Sequence, residues 1–124
     1  MTINELYSAI GGDLPDVTRR FGGETRVKKF ICRFPNDPTY AEFETAWAAK
    51  DEATIFSTTH TLKGVFATFS LTEMRTIASY LTEQYRPENK MTHDPAVEQE
   101  KVERLSELYH STIELINRFK DENT

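Results

Sequence analysis

The 124-residue chain has one cysteine, Cys32, so it can form no internal disulfide and has no cysteine-rich zinc pattern. It has no apolar run long enough to span a bilayer. The opening MTINELYSAIGGD carries early acidic residues and lacks the apolar core of a signal peptide. Positive charge is in deficit: 15 Lys and Arg stand against 20 Asp and Glu, a formal charge of −5. That balance argues against nucleic acid or an anionic membrane as an unaided partner. There is no Asn-Gly or Asp-Gly hairpin turn and no sustained alternation, so no strand is expected. Internal repeats, low-complexity tracts, a glycine loop to cradle phosphate and a serine-centred nucleophile elbow are also missing. His60, His93 and His110 are too dispersed for metal-ligand spacing. The default is one cytoplasmic domain over residues 1–124.

What is present is helical periodicity. Thr2 and Glu5 have capping-box spacing, followed by Ile3, Leu6, Tyr7 and Ile10 on one face. Gly11-Gly12 ends that helix. Asp13 and Pro15 open a second, Leu14 to Phe21, which Gly22-Gly23 closes. In ETRVKKFICRF, Val27, Phe30, Ile31 and Phe34 form a stripe that Pro35 stops. Asp37-Pro38 reads as an N-cap with proline at the first helical position, ahead of a face of Tyr40, Phe43, Ala46 and Trp47. Lys50-Asp51 marks a tight break before a helix from about Asp51 to Phe69. Ser70 and Glu73 again have capping-box spacing, and the stripe Met74, Ile77, Ala78, Leu81 and Tyr85 runs up to Pro87. PENKMTH reads as a loop. Asp94-Pro95 restarts a helix to about Lys120 with Val102, Leu105, Leu108, Tyr109, Thr112, Leu115, Ile116 and Phe119 on its face. The expectation is all-α: an antiparallel four-helix bundle within residues 24–120, with residues 1–23 forming short extra helices on one end.

One helix contains a residue that helices resist. Within HTLKGVFATFSL, Gly64 costs about 1 kcal/mol relative to alanine. At roughly 100° per residue, Ile55, Thr59, Leu62, Phe66 and Phe69 share one arc, with Phe56 at its edge. His60 lies more than about 90° from the centre of that arc. Ala53, Gly64 and Ala67 lie in line with it, and Lys63 sits between this strip and the core edge. A bulky side chain four residues on would cover one side of the imidazole, and glycine leaves it open to a second molecule. A neutral imidazole, with its ordinary pKa near 6.5, is a nucleophile at near-neutral pH. The Lys63 ammonium can offset the charge of a phosphoryl group placed on it. A surface histidine beside a lysine is common, and by itself this pairing does not establish function.

The pattern His60-x-x-Lys63-Gly64, on the second of four bundle helices, resembles the histidine phosphotransfer (HPt) domain family. Leu62 between the histidine and lysine, the helix order and the short turn before SLTEM extend the resemblance from about Glu24 to Phe119. The leading TINELYSAIGGDLPDVTRRFGG resembles the front of small free-standing bacterial HPt proteins. The resemblance implies a four-helix bundle and no ATP binding. His60 would accept a phosphoryl group, through Nε2, from a receiver aspartate or a sensor or hybrid histidine kinase and pass it to another receiver. Lys63 would stabilise the phosphate and Gly64 would give access. No intrinsic cofactor is expected; magnesium would sit on the receiver. A monomer is implied. Many members have glycine where this chain has Phe69-Ser70, read here as a cap for the next helix. Thr82 and Glu83 both lie where the family places a polar residue, and the choice stays open.

Other residues are read more plainly. Phe56 either completes the core or lies partly exposed for docking, with Ala67 as a second docking candidate and Val65 on the far side. Lys28 and Lys29 either line the same groove or form a solvated face. His93 is expected in solvent or in a cap, His110 in solvent, and Cys32 as an inert thiol. Two rival functions remain: a docking module that binds a receiver or kinase without being phosphorylated, or the HPt portion of a hybrid kinase. The intact His60, Lys63 and Gly64 weigh against the first. The start at Met1 and the absence of a following catalytic segment weigh against the second.

Overall fold

The computed structural model describes residues 1–89 and 92–123. Seven α-helices are found among these residues: α1 Ile3–Ile10, α2 Leu14–Phe21, α3 Glu24–Ile31, α4 Thr39–Ala49, α5 Glu52–Thr68, α6 Thr72–Gln84 and α7 Pro95–Glu122. A 3-10 turn, Phe34–Asn36, precedes α4. The chain is all-α; the nearest approach to a strand among the described residues is an isolated bridge between Gly12 and Leu71.

Local chemistry accounts for most of the boundaries. Thr2 and Glu5 form the reciprocal capping box of α1. Asp13, Asp51 and Asp94 each accept backbone N–H groups at the starts of α2, α5 and α7. Asp37 accepts the Thr39 N–H at 2.8 Å, and Pro38 flanks α4 rather than opening its first turn. The α3 stripe ends earlier than Pro35 would require. The helix closes at Ile31, and Phe30 is only half-buried, stacked on Phe21 at 5.4 Å.

The turn after α5 departs from the capping-box expectation. Ser70 has φ 56, and Glu73 is held instead by two hydrogen bonds from Arg104. The Ser70 N–H donates to the Ala67 carbonyl at 3.1 Å and the Leu71 N–H to the Phe66 carbonyl at 2.9 Å. This is a Schellman helix end, whose left-handed position usually holds glycine. Ser70 therefore stands at a position that favours glycine for a backbone reason. Its hydroxyl donates to Asp16 at 2.7 Å, which helps hold the Asp16 carboxyl below the usual range, with Arg20 adding to the effect.

Helices α4 to α7 run up and down, and the expected stripes form their common core. Phe43, Phe66, Leu81 and Leu105 are among the side chains buried there. At 1.5 Å per residue, the 28 residues of α7 span about 42 Å while the 13 of α6 span about 20 Å. The extra turns of α7 would expose Ile116 and Phe119. Instead α1 covers the helix, burying Ile3, Leu6, Tyr7 and Ile10. The chain ends meet: the Met1 ammonium lies 2.9 Å from Glu122, and Asn123 donates to the Met1 carbonyl.

The N-terminal helices also grip the α5–α6 turn. The Tyr7 hydroxyl donates to the Phe69 carbonyl, and the Asp13 N–H to the Ser70 carbonyl. Gly12 makes this close approach possible, since a Cβ there would lie 2.5 Å from Tyr7 Cδ2. Tyr7 is 1% exposed and cannot swing away. Gly12→Ala is expected to lower stability by about 1–3 kcal/mol, the usual cost of overpacking. Urea unfolding measures this directly, and an unchanged midpoint would show that the turn gives way freely.

His93 is not simply solvated. Its Nδ1 lies 2.6 Å from a carboxylate oxygen of Glu98, which is 3% exposed, and the Tyr85 hydroxyl donates to the other oxygen at 2.6 Å. A buried carboxylate needs such partners, and these fasten the end of α6 to the start of α7. The loop reading of PENKMTH falls partly on residues 90 and 91, outside the described residues. His110 is exposed, 3.6 Å from Glu44. Cys32 is half-buried, and burial raises its thiol pKa.

Candidate functional site

Helix α5 turns a buried face of Ile55, Thr58, Thr59, Leu62 and Phe66 to the core. Thr58 extends the expected arc by one residue. The hydroxyls of Thr58 and Thr59 are satisfied by carbonyls one turn back, at 2.7 Å each, so burying them leaves no polar group stranded. With that face fixed, His60 points to solvent on the opposite side. Lys63 is half-buried, Gly64 exposed and Ala67 half-buried.

His60, Lys63, Gly64 and Ala67 line one side of a groove of about 550 Å³. The other side is α6, through Arg75, Thr76 and Ser79. Nothing lies within 4 Å of the position a Gly64 Cβ would take. The glycine is therefore not required by packing within the chain, unlike Gly12. It leaves an open channel beside the imidazole.

Phe56 is half-buried and its ring is nearly parallel to that of His60, with centroids 5.9 Å apart. It is not among the half-buried side chains packed against the core, so it flanks the histidine instead of completing the core. The Arg86 guanidinium lies over the Phe56 ring at 5.4 Å and is also hydrogen-bonded twice to Glu83. Those bonds hold the Glu83 carboxyl below its usual range, with Lys63 and His60 adding attraction. Of the two residues left open in the sequence, Thr82 is fully buried and donates to the Ala78 carbonyl. Glu83 is exposed and within electrostatic reach of His60.

Lys28 and Lys29 do not line this groove; its second wall is α6 rather than α3. Val65 packs against the core. Arg75, Thr76, Ser79 and Arg86 were not singled out in the sequence. A signal was available: the short turn at residues 69–71 makes α5 and α6 an antiparallel hairpin, which brings residues 75–86 back beside residues 56–67.

Chemically, the site offers an exposed imidazole, an adjacent ammonium, room for a second molecule and a flanking guanidinium. Among the described residues, no group of three or more His, Cys, Asp or Glu side chains could hold a metal. No helix among them is long and apolar enough to cross a membrane.

A helical bundle with a solvent-facing histidine on its second helix is the class this geometry defines. The chain belongs to the Hpt domain family, whose profile matches residues 37–118. Its role is accordingly histidine phosphotransfer in a phosphorelay, and the family comprises phosphotransfer intermediates rather than kinases. No curated protein and no solved structure matches the chain significantly.

Proposed function

We propose that His60 is the phospho-accepting residue. Its Nε2 lone pair attacks the phosphorus of a receiver aspartyl phosphate or of a kinase phosphohistidine. A P–N bond forms as the donor's P–O or P–N bond breaks, and the donor leaves as a carboxylate or an imidazole. A second receiver aspartate reverses the step. Lys63 offsets the phosphoryl charge, and Gly64 admits the partner's active site. Phe56 and Ala67 form the apolar part of the docking surface. Magnesium belongs to the receiver, and this chain contributes no cofactor. The whole chain acts as one cytoplasmic unit, a monomer, with residues 1–23 as a helical cap. The observation that carries the reading is that His60 shares an open groove with Lys63 and an unencumbered Gly64.

The test is incubation with phosphorylated receiver domains and magnesium, using a panel of receivers from the source genome. Acid-labile, alkali-stable label on this chain is expected. Failure of every receiver and cognate kinase to label the folded protein, with receiver binding retained, would leave the docking-module reading instead.

A further inference from the structure

Most arginines in this protein are occupied. Arg19 and Arg20 pair with Asp16, Arg86 with Glu83 and Arg104 with Glu73, while Arg33 lies over Phe30. Arg75 is exposed, and its side chain has no hydrogen bond, ion pair or ring partner among the described residues. It is also the guanidinium that lines the groove of His60. A second depression of about 300 Å³, reaching Asp16, Arg20 and Ser70, shares both Ala67 and Arg75 with that groove. Arg75 therefore stands where the two meet, on the side toward the α5–α6 turn. Ala67 is seven residues from His60, about 10 Å along the helix axis. A phosphoryl group on the imidazole sits at one end of the groove, and Lys63 is closest in sequence to serve it. Arg75 lies further along, under the body of whatever molecule presents or receives that group.

An unpaired cation on a chain of net charge −5 fits an acidic partner surface. The neighbouring carboxylates do not cancel it. Asp16 is already shared by Arg19, Arg20 and Ser70, and Asp13 caps α2. Resting on the phosphotransfer reading above, we propose that Arg75 is a specificity-determining contact. Its guanidinium pairs with a carboxylate on the rim of the receiver's acidic active site, apart from the transferring phosphoryl group. Charge at such a rim position acts mainly on encounter and partner choice, and salt weakens it.

The experiment titrates the full chain with the receiver panel in magnesium at low and high salt, comparing wild type, Arg75→Glu and Arg118→Glu. Arg118 is likewise exposed and unpartnered among the described residues but lies outside both depressions, so its variant carries the same charge change elsewhere. Arg75→Glu is expected to weaken receiver binding about tenfold at low salt, with the gap narrowing at high salt. Arg118→Glu should bind as wild type does. Equal effects of the two variants, no effect of Arg75→Glu, or no receiver bound by wild type would each overturn the proposal. A parallel reaction with phosphoramidate transfers a phosphoryl group to His60 with release of ammonia and needs no docking. Loss of that label in Arg75→Glu would place Arg75 on the phosphoryl group itself and overturn the proposal as well. Absence of label in wild type from both phosphoramidate and receivers would count against phosphotransfer at His60, while the binding titration still judges Arg75.

Discussion

Changing His60 to glutamine is expected to abolish acid-labile phosphorylation entirely and to move the melting midpoint by no more than about 2 °C. The two halves of this result have separate causes. Glutamine has no nucleophilic ring nitrogen, so no P–N bond can form, whatever the partner. The fold does not depend on the imidazole. His60 is exposed, its imidazole makes no hydrogen bond among the described residues, and it touches the body of the protein through its contact with the Phe56 ring. Phe56 keeps the Arg86 guanidinium over its face. Circular dichroism and a thermal melt should therefore overlay those of wild type. Residual acid-labile label on the variant would move the site to another histidine. A collapse in stability would contradict the outward placement of His60.

The second large effect separates stability from function at one position. Gly64→Ala should raise stability by about 1 kcal/mol, or roughly 3–5 °C in melting midpoint, because glycine is a poor helix former. The new Cβ meets nothing within 4 Å, so no clash offsets the gain. Gly64→Glu should also remain folded but slow transfer by at least about tenfold. Its carboxylate would stand one turn from His60 beside the incoming phosphoryl group, repelling it and narrowing the groove. Rapid-quench transfer to several receivers reads the second effect, and wild-type rates with all of them would remove the access argument. A lower melting midpoint for Gly64→Ala would mean that packing, after all, requires this glycine. The contrast with Gly12 is useful: the same residue type leaves room inside the molecule at one position and outside it at the other.

Much of this arrangement is readable from residue order. The wheel of α5 depends only on helical periodicity and on which residues are apolar, so it places His60 outward without knowledge of any neighbour. The Asp caps of α2, α5 and α7 are equally local. The errors arise where partners are distant in sequence. Ser70 followed by Glu73 looks like a capping box, but the hydroxyl is engaged by Asp16, 54 residues earlier, and the carboxylate by Arg104, 31 residues later. His93 is a different case: its partner Glu98 is only five residues on, but nothing in the sequence marks that carboxylate as buried. The α6 wall of the groove is an intermediate example. Nothing in the spacing of Arg75 or Ser79 marks them, but folding α5 and α6 about a three-residue turn brings them opposite Gly64 and Ala67. Lys28 and Lys29 attract attention through charge alone, and that carries no information about which helix becomes the neighbour.

The meeting of the chain ends also bears on the order in which the molecule assembles. The contacts of Met1 with Glu122 and Asn123 join residues 121 and 122 positions apart, near the maximum this chain allows. Closing so large a loop carries the greatest entropic cost of any contact in the fold, whereas the α5–α6 hairpin closes over a few residues. Eight-residue α1 cannot sustain itself as an isolated helix. Its docking is therefore expected to complete folding rather than nucleate it, as a latch set last on an assembled bundle. Because Tyr7 and Asp13 hold the turn that ends α5, the same latch fastens the end of the helix carrying His60.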